Sequence, residues 1–242
     1  MICVFCSDQS YICNHFKRKL DPLQKKPFIT LDYQIPDETE VKDRSEQFRD
    51  IMKRRRSVRY FSDRQVPASV IENIIMTASS APSGAHKQPW FFCAVSDIDI
   101  KTKIRQAAEK EEYENYHGRM SDDWIKDLEK FDTDWHKEFL TTAPWLIVIF
   151  KKAFDTENGE KSKNYYVNES VGIAAGFLIA AIHMAGLVTL THTPSPMNFL
   201  QHILNRPDNE RPFLLLPVGY PADGVQVPDL WRKDVKDVLG WY

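Results

Sequence analysis

Residues 171–190 constrain this chain most, because twenty nearly uninterrupted apolar residues must be hidden either in lipid or in protein. His183 is the one clearly polar interruption. Gly172, Ala174, Ala175, Gly176, Ala180 and Ala181 give a smooth helix suited to close packing. Gly186 is a helix stop, and Leu187-Val188-Thr189-Leu190 beyond it has strand character. That break leaves about 15 helical residues, short for a bilayer. The expectation is a core helix running into a strand, with no membrane span. Residues 1–19 lack a basic segment followed by an apolar core, so no signal peptide is expected and the location expected is cytoplasmic.

Once that helix is placed inside a protein, the rest of the chain has to supply its cover. At 242 residues there is enough for one sizeable domain. A formal net charge of -2 gives no general reason to expect nucleic-acid binding, so any basic feature is local. Apolar residues at helical spacing begin at Ser45 with Phe48, Ile51 and Met52. Pro67 opens a second helix with Val70, Ile71, Ile74, Ile75 and Ala78 on one face. Strands are expected at 90–95, 145–151, 187–190 and 213–218, and helices at 97–120, 133–142 and 198–204. Residues 155–163 read as an exposed turn. Helices and strands alternate without repeats, which points to one α/β domain. It is bounded as a tail or wrapping arm over 1–44, a domain over 45–224 and an extended C-terminal arm over 225–242. Cys3, Cys6, Cys13 and His15 invite a metal reading in the tail, but no second CxxC follows. Reduced thiols and no metal are the simpler expectation.

Five constellations could carry chemistry. In the run 54–59, Arg55, Ser57 and Arg59 share one face if the segment is extended. Paired guanidinium donors with a hydroxyl suit a phosphate monoester; a solvated basic stretch or a nuclear-import signal is the alternative. The small-residue loop Pro82-Ser83-Gly84-Ala85-His86 would let backbone N–H groups approach a planar ligand, or be an ordinary connection. Glu112 and Tyr116, four apart on one helix, could join Lys137 to hold both ends of a zwitterion, or simply solvate a charged surface. Thr191-His192-Thr193 after a strand could donate to a cofactor ring, or cap a turn. Arg232 is by default a surface charge.

In this order the features resemble one family. Arg-Arg-Ser-Val-Arg (55–59), Ala-Pro-Ser-Gly-Ala-His (81–86), Thr-Ala-Pro (142–144), Ala-Gly-Leu-Val-Thr (185–189), Leu-Pro-Val-Gly-Tyr-Pro (216–221) and Val-Pro-Asp-Leu (227–230) are similar to the iodotyrosine deiodinases of the flavin-dependent nitroreductase superfamily. The likeness runs from about 45 to 233. It implies a three-layer α/β (α+β) fold, a mainly antiparallel sheet flanked by helices, in an intertwined homodimer with FMN at the subunit interface. By resemblance Arg55, Arg56, Ser57, Val58, Arg59 and Arg232 hold the phosphate and ribityl end of FMN. Ser83 and Gly84 line the flavin, and Thr191, His192 and Thr193 lie beside it, with Thr193 donating to its N5. The Ala85 N–H would meet a substrate phenolate, and Glu112, Tyr116 and Lys137 would grip the amino-acid end of a halotyrosine.

The implied activity is reductive dehalogenation of iodotyrosine by stepwise electron transfer, with bromo- and chlorotyrosine fitting the same clamp. NADPH-derived electrons would arrive through a separate reductase. A broad FMN nitroreductase or quinone reductase is the alternative. His192 stands where the family usually has threonine, and the membrane anchor of vertebrate members is not expected here.

Overall fold

The computed structural model describes residues 28–157 and 159–242, so the proposed tail thiols lie outside the described residues. The chain divides into two units, residues 1–44 and 45–242. Described residues of the first unit form the opening of helix α1 (Glu38–Lys53), where the Asp37 carboxylate accepts the Glu40 amide at 2.8 Å and Glu40 pairs with Arg44. The helical period was expected only from Ser45. The earlier start has a local cause, an acidic first turn with a capping carboxylate.

The second unit continues through α2 (Ala68–Ser79), β1 (Trp90–Val95), α3 (Ile98–Glu114), α4 (Asp122–Glu129) and α5 (Phe139–Thr142). It proceeds with β2 (Trp145–Lys152), β3 (Phe154–Glu157), β4 (Glu160–Lys163), α6 (Val167–Met184), β5 (Val188–Thr189), α7 (Asn198–Ile203) and β6 (Glu210–Gly219). Four strands form one antiparallel sheet in the order β1-β2-β6-β5, while β3 and β4 make a separate hairpin.

Strand β2 sets the layering. Successive side chains of a strand point to opposite faces, so an unbroken apolar strand must be covered on both. Ile147 and Ile149 pack under α2 and α6 with Ile71, Ile74, Val171, Ala174, Leu178 and Ile182. Leu146, Val148 and Phe150 face the other way, against Ile104 and Ala108 of α3, Phe139 and Leu140 of α5, and Leu200 of α7. The fold is therefore helix, sheet, helix, as the sequence led us to expect. Helix α6 is long and apolar enough to cross a membrane, yet one face of it belongs to this core. Its small residues let it lie close, and Gly186 (φ 76°) turns the chain into β5.

Three expectations are corrected. The helix expected over 133–142 is only α5. The polar groups before it find side-chain partners instead: the Thr133 carbonyl accepts from the Tyr116 hydroxyl, Asp134 accepts the His136 amide, and Glu109 accepts the Lys137 amide. The turn at 155–163 is the β3–β4 hairpin. Helix α4 was not foreseen, although Ser121 caps it through the Trp124 amide and Asp122 and Asp123 fill its first turn.

At the end of β6, a Cβ built on Gly219 would lie 2.6 Å from Cδ of Pro144, the residue that leads into β2. Gly219→Ala should therefore lower stability by about 1–3 kcal/mol through overpacking. Urea denaturation checks this; an unchanged midpoint would show that Pro144 yields freely.

Candidate functional site

The basic run leaves helix α1 after Lys53, and its Ser57 and Arg59 line one cleft. Ser57 bridges to Thr189, and the buried Val58 donates its amide to the Thr189 carbonyl at 3.2 Å, stitching this segment to β5. Val58 is thus a core residue whose N–H is already committed. Arg55 and Arg56 turn towards the C-terminal segment, where Arg232 donates to the carbonyls of Lys53 (2.8 Å) and Arg55 (2.7 Å), and Arg56 donates to the Pro228 carbonyl. Burial, then the like charges of Arg232 and Arg56, lower the pKa of Arg55. Among the described residues no carboxylate pairs with Arg55, Arg56 or Arg232. Three converging guanidiniums without a counter-charge suit a doubly charged phosphate.

Arg59 lies further along the same cleft. Half-buried, it lies over the Phe131 ring at 5.4 Å and feels the Tyr116 phenol, which places it at the segment after α3. A cleft of about 300 Å³ opens between these groups, lined by Ser57, Arg59, Phe131, Gln226 and Pro228. A wider one of about 940 Å³ adjoins it past Arg59, Thr133, Asp134 and Phe139.

The loop before β1 has an unusual backbone. Ala85 (φ 51°), His86 (φ 56°) and Gln88 (φ 48°) all take left-handed conformations without being glycine. Each costs about 1–2 kcal/mol and persists only where neighbours hold it. The result is selective presentation of one donor. The Gly84 amide goes to Ser170 Oγ (3.3 Å), His86 to the Ser83 carbonyl, Lys87 to the Gly84 carbonyl and Gln88 to Ser83 Oγ (2.9 Å). Among the described residues, the exposed Ala85 N–H alone of these five has no protein acceptor. A free amide on an exposed, strained loop can receive an anion.

Glu112, Tyr116 and Lys137, separate in sequence, meet in space. The Glu112 carboxylate lies 3.5 Å from Lys137 Nζ, both nearly buried, and Nζ is 5.6 Å from the Tyr116 ring centre. Lys137 also donates to the Asp134 carbonyl, and Tyr116 donates to the Thr133 carbonyl at 3.1 Å. Desolvation raises the pKa of Glu112 and lowers that of Lys137, in each case against the pull of the partner charge. Burial and the Glu112 charge likewise raise Tyr116. A buried pair that is incompletely satisfied gains most from a ligand bringing an ammonium and a carboxylate of its own.

Beyond β5, Thr191 and Thr193 are exposed while His192 between them is buried. Its backbone pairs with Leu215, and its ring lies edge-on to Phe139 at 5.5 Å, with Nε2 unpartnered. The His192 ring points away from the face that the two threonines share, because alternation along an extended segment sends it into the core. Burial, helped by the Lys137 and Arg59 charges, lowers its pKa to about 3.

The surroundings of this site match known proteins along most of the chain. The nitroreductase family model covers residues 52–220. An iodotyrosine deiodinase from Haliscomenobacter hydrossis is 63% identical over 220 residues, spanning 90% of this chain and 99% of that protein. The chain belongs to the nitroreductase family, on its iodotyrosine deiodinase branch. Human iodotyrosine deiodinase 1 is 48% identical over 204 residues, 84% of this chain and 71% of that protein. A crystal structure of an oxidized iodotyrosine deiodinase bound to FMN and 3-iodo-L-tyrosine aligns with a TM-score of 0.69 at 30% identity, covering 81% of this chain and 98% of that one. A BluB-like flavoprotein from Clostridium difficile, 21% identical with a TM-score of 0.61 over 80% of this chain and 98% of that one, shares the nitroreductase fold.

The depressed His192 pKa carries a signed prediction. Above pH 6.5 the ring is neutral folded and unfolded, and contributes no slope. Between pH 6.5 and about 3 only the unfolded chain takes up this proton, so stability falls as pH falls, by at most about 1.4 kcal/mol per pH unit. His192→Gln should flatten that part of the denaturation-versus-pH curve. An identical slope in both proteins would mean that the ring titrates normally.

Proposed function

We propose that this member of the family removes halogen from halotyrosines reductively, using FMN. Iodotyrosine would be converted to tyrosine and iodide: two electrons and one proton replace the carbon–iodine bond with carbon–hydrogen. FMN in its reduced form would supply the two electrons; the protein supplies placement and electrostatics. Arg55, Arg56 and Arg232 take the phosphate, with Ser57 as a neutral donor and Arg59 at the ribityl end. Ser83, Gly84, Thr191 and the Thr193 hydroxyl serve the flavin ring, Thr193 at N5, where donation favours single-electron steps. Val58 and His192 hold the site's frame, their backbone amides being committed to Thr189 and Leu215.

Substrate selection belongs to the other half of the site. The Ala85 N–H receives the phenolate oxygen and favours the ionised phenol. Lys137 meets the substrate carboxylate, Glu112 meets its ammonium, and Tyr116 adds a hydroxyl. The observation that carries this reading is the buried Glu112–Lys137 pair beside Tyr116, a polar group set with little purpose in a pocket for plain nitroaromatics. Binding charge to charge there also excludes water from the reacting ring.

The same reading makes the active form a homodimer. Ile173, Phe177 and Met184 form an exposed apolar stripe on α6 beside Gly172 and Gly176, and Trp231 and Trp241 stand 92% and 87% exposed on the C-terminal arm. A second copy would bury both features and complete each FMN site. Residues 225–242 act as the strap around the partner. The electrons come from NADPH by way of a separate reductase, and the cytoplasm is the compartment that supplies them.

Anaerobic reaction of dithionite-reduced, FMN-loaded protein with iodo-, bromo- and chlorotyrosine tests this directly. Tyrosine and halide should form in equal amounts. Reduction of nitroaromatics or quinones with no halide released would select a general nitroreductase instead.

A further inference from the structure

Four independent contacts converge on the strained loop that carries Ala85, and all come from one segment, residues 162–170. Ser170, 3% exposed on the first turns of α6, accepts the Gly84 amide through Oγ. A Cβ on Gly84 would meet the Tyr165 carbonyl oxygen at 2.9 Å and the Tyr166 ring at 3.0 Å, so loop and segment are in closest contact there. Tyr166 itself is left-handed (φ 49°) at the residue leading into α6. On the other side of Ala85, Lys87 Nζ donates to Ser162 Oγ at 2.9 Å.

From this geometry we infer that Ser170 is a positioning and specificity residue for the phenolate end of the substrate, acting through the Gly84–Ala85 peptide; this rests on the halotyrosine reading above. The role follows from counting donors. With Gly84 held by Ser170, the loop offers one amide, at Ala85, in one direction. Without the hydroxyl, the partly buried Gly84 N–H loses its acceptor. The cheapest repair is rotation of the Gly84–Ala85 backbone towards the right-handed region that Ala85 would otherwise occupy. That rotation re-aims the Ala85 N–H. It leaves the Glu112, Tyr116 and Lys137 clamp untouched, because the clamp stands on α3 and on the segment before α5.

The effect must therefore depend on the substrate hydroxyl. Flavin fluorescence quenching by 3-iodotyrosine and by 3-iodophenylalanine, which shares the amino-acid end and lacks the hydroxyl, separates the two halves of the site. In FMN-loaded Ser170→Ala, iodotyrosine affinity should drop about tenfold or more while iodophenylalanine affinity stays within about twofold. The pH at which iodotyrosine binding is lost should move upward, since the ionised phenol is favoured less. Ser170→Thr, which keeps the hydroxyl, should restore both. Lys87→Met removes the second tether without touching the core and should shift affinity in the same direction. Equal losses for both ligands, or none in either variant, would overturn the role of Ser170. Wild-type protein that binds both ligands equally would instead overturn the Ala85 assignment beneath it, and this inference along with it.

Discussion

Burial of β2 on both faces is the constraint from which the rest follows. A strand with Leu146, Ile147, Val148, Ile149 and Phe150 all inaccessible demands a helical layer on each side of the sheet. The covering helices then carry the chemistry at their ends. Helix α3 closes one face through Ile104 and Ala108 and, two turns on from Ile104, holds Glu112 and leads to Tyr116. Helix α6 closes the other through Val171, Ala174, Leu178 and Ile182 and brings Ser170 to the loop that enters β1. The site is assembled where these elements leave the core, which is why residues far apart in sequence converge.

Electrostatically the site gathers polar groups whose sign fixes what each can receive. Arg55, Arg56 and Arg232 cluster without a carboxylate. Among the described residues the Ala85 amide has no protein acceptor, and its loop is strained. Glu112 and Lys137 face each other in a setting that weakens both charges. Under the proposed reading an anion, a phenolate and a zwitterion answer these groups in turn, and selectivity follows for ligands that bring them together. His192 follows the opposite logic: it is a neutral, buried ring beside two cations, and it serves packing against Phe139.

Much of this was legible in the sequence because much of it is local. The glycine and alanine spacing of α6, the Gly186 stop, the apolar runs of β1 and β2, and the Asp97 start of α3 all rest on contacts within a few residues. The proposed halotyrosine clamp came from family resemblance alone, since one helix full of Glu and Lys looks like any solvated surface until Lys137 is seen 3.5 Å from Glu112. Contacts between distant segments were not legible at all. The contact of Arg59 with Phe131, the inward turn of His192, and the Ser170–Gly84 bond depend on which loops the fold brings together. The left-handed backbone at Ala85, His86 and Gln88 lacks the glycine that usually announces it.

The central claim is that the buried Glu112, Tyr116 and Lys137 set recognises the amino-acid end of the substrate. Titrating the fluorescence of FMN-loaded protein with 3-iodotyrosine and with 2-iodophenol, which shares the reacting ring and lacks that end, measures it most directly. The account predicts affinity for iodotyrosine greater by about a hundredfold or more, since the phenol leaves the buried charges unpaired. Equal affinity for the two ligands would contradict it.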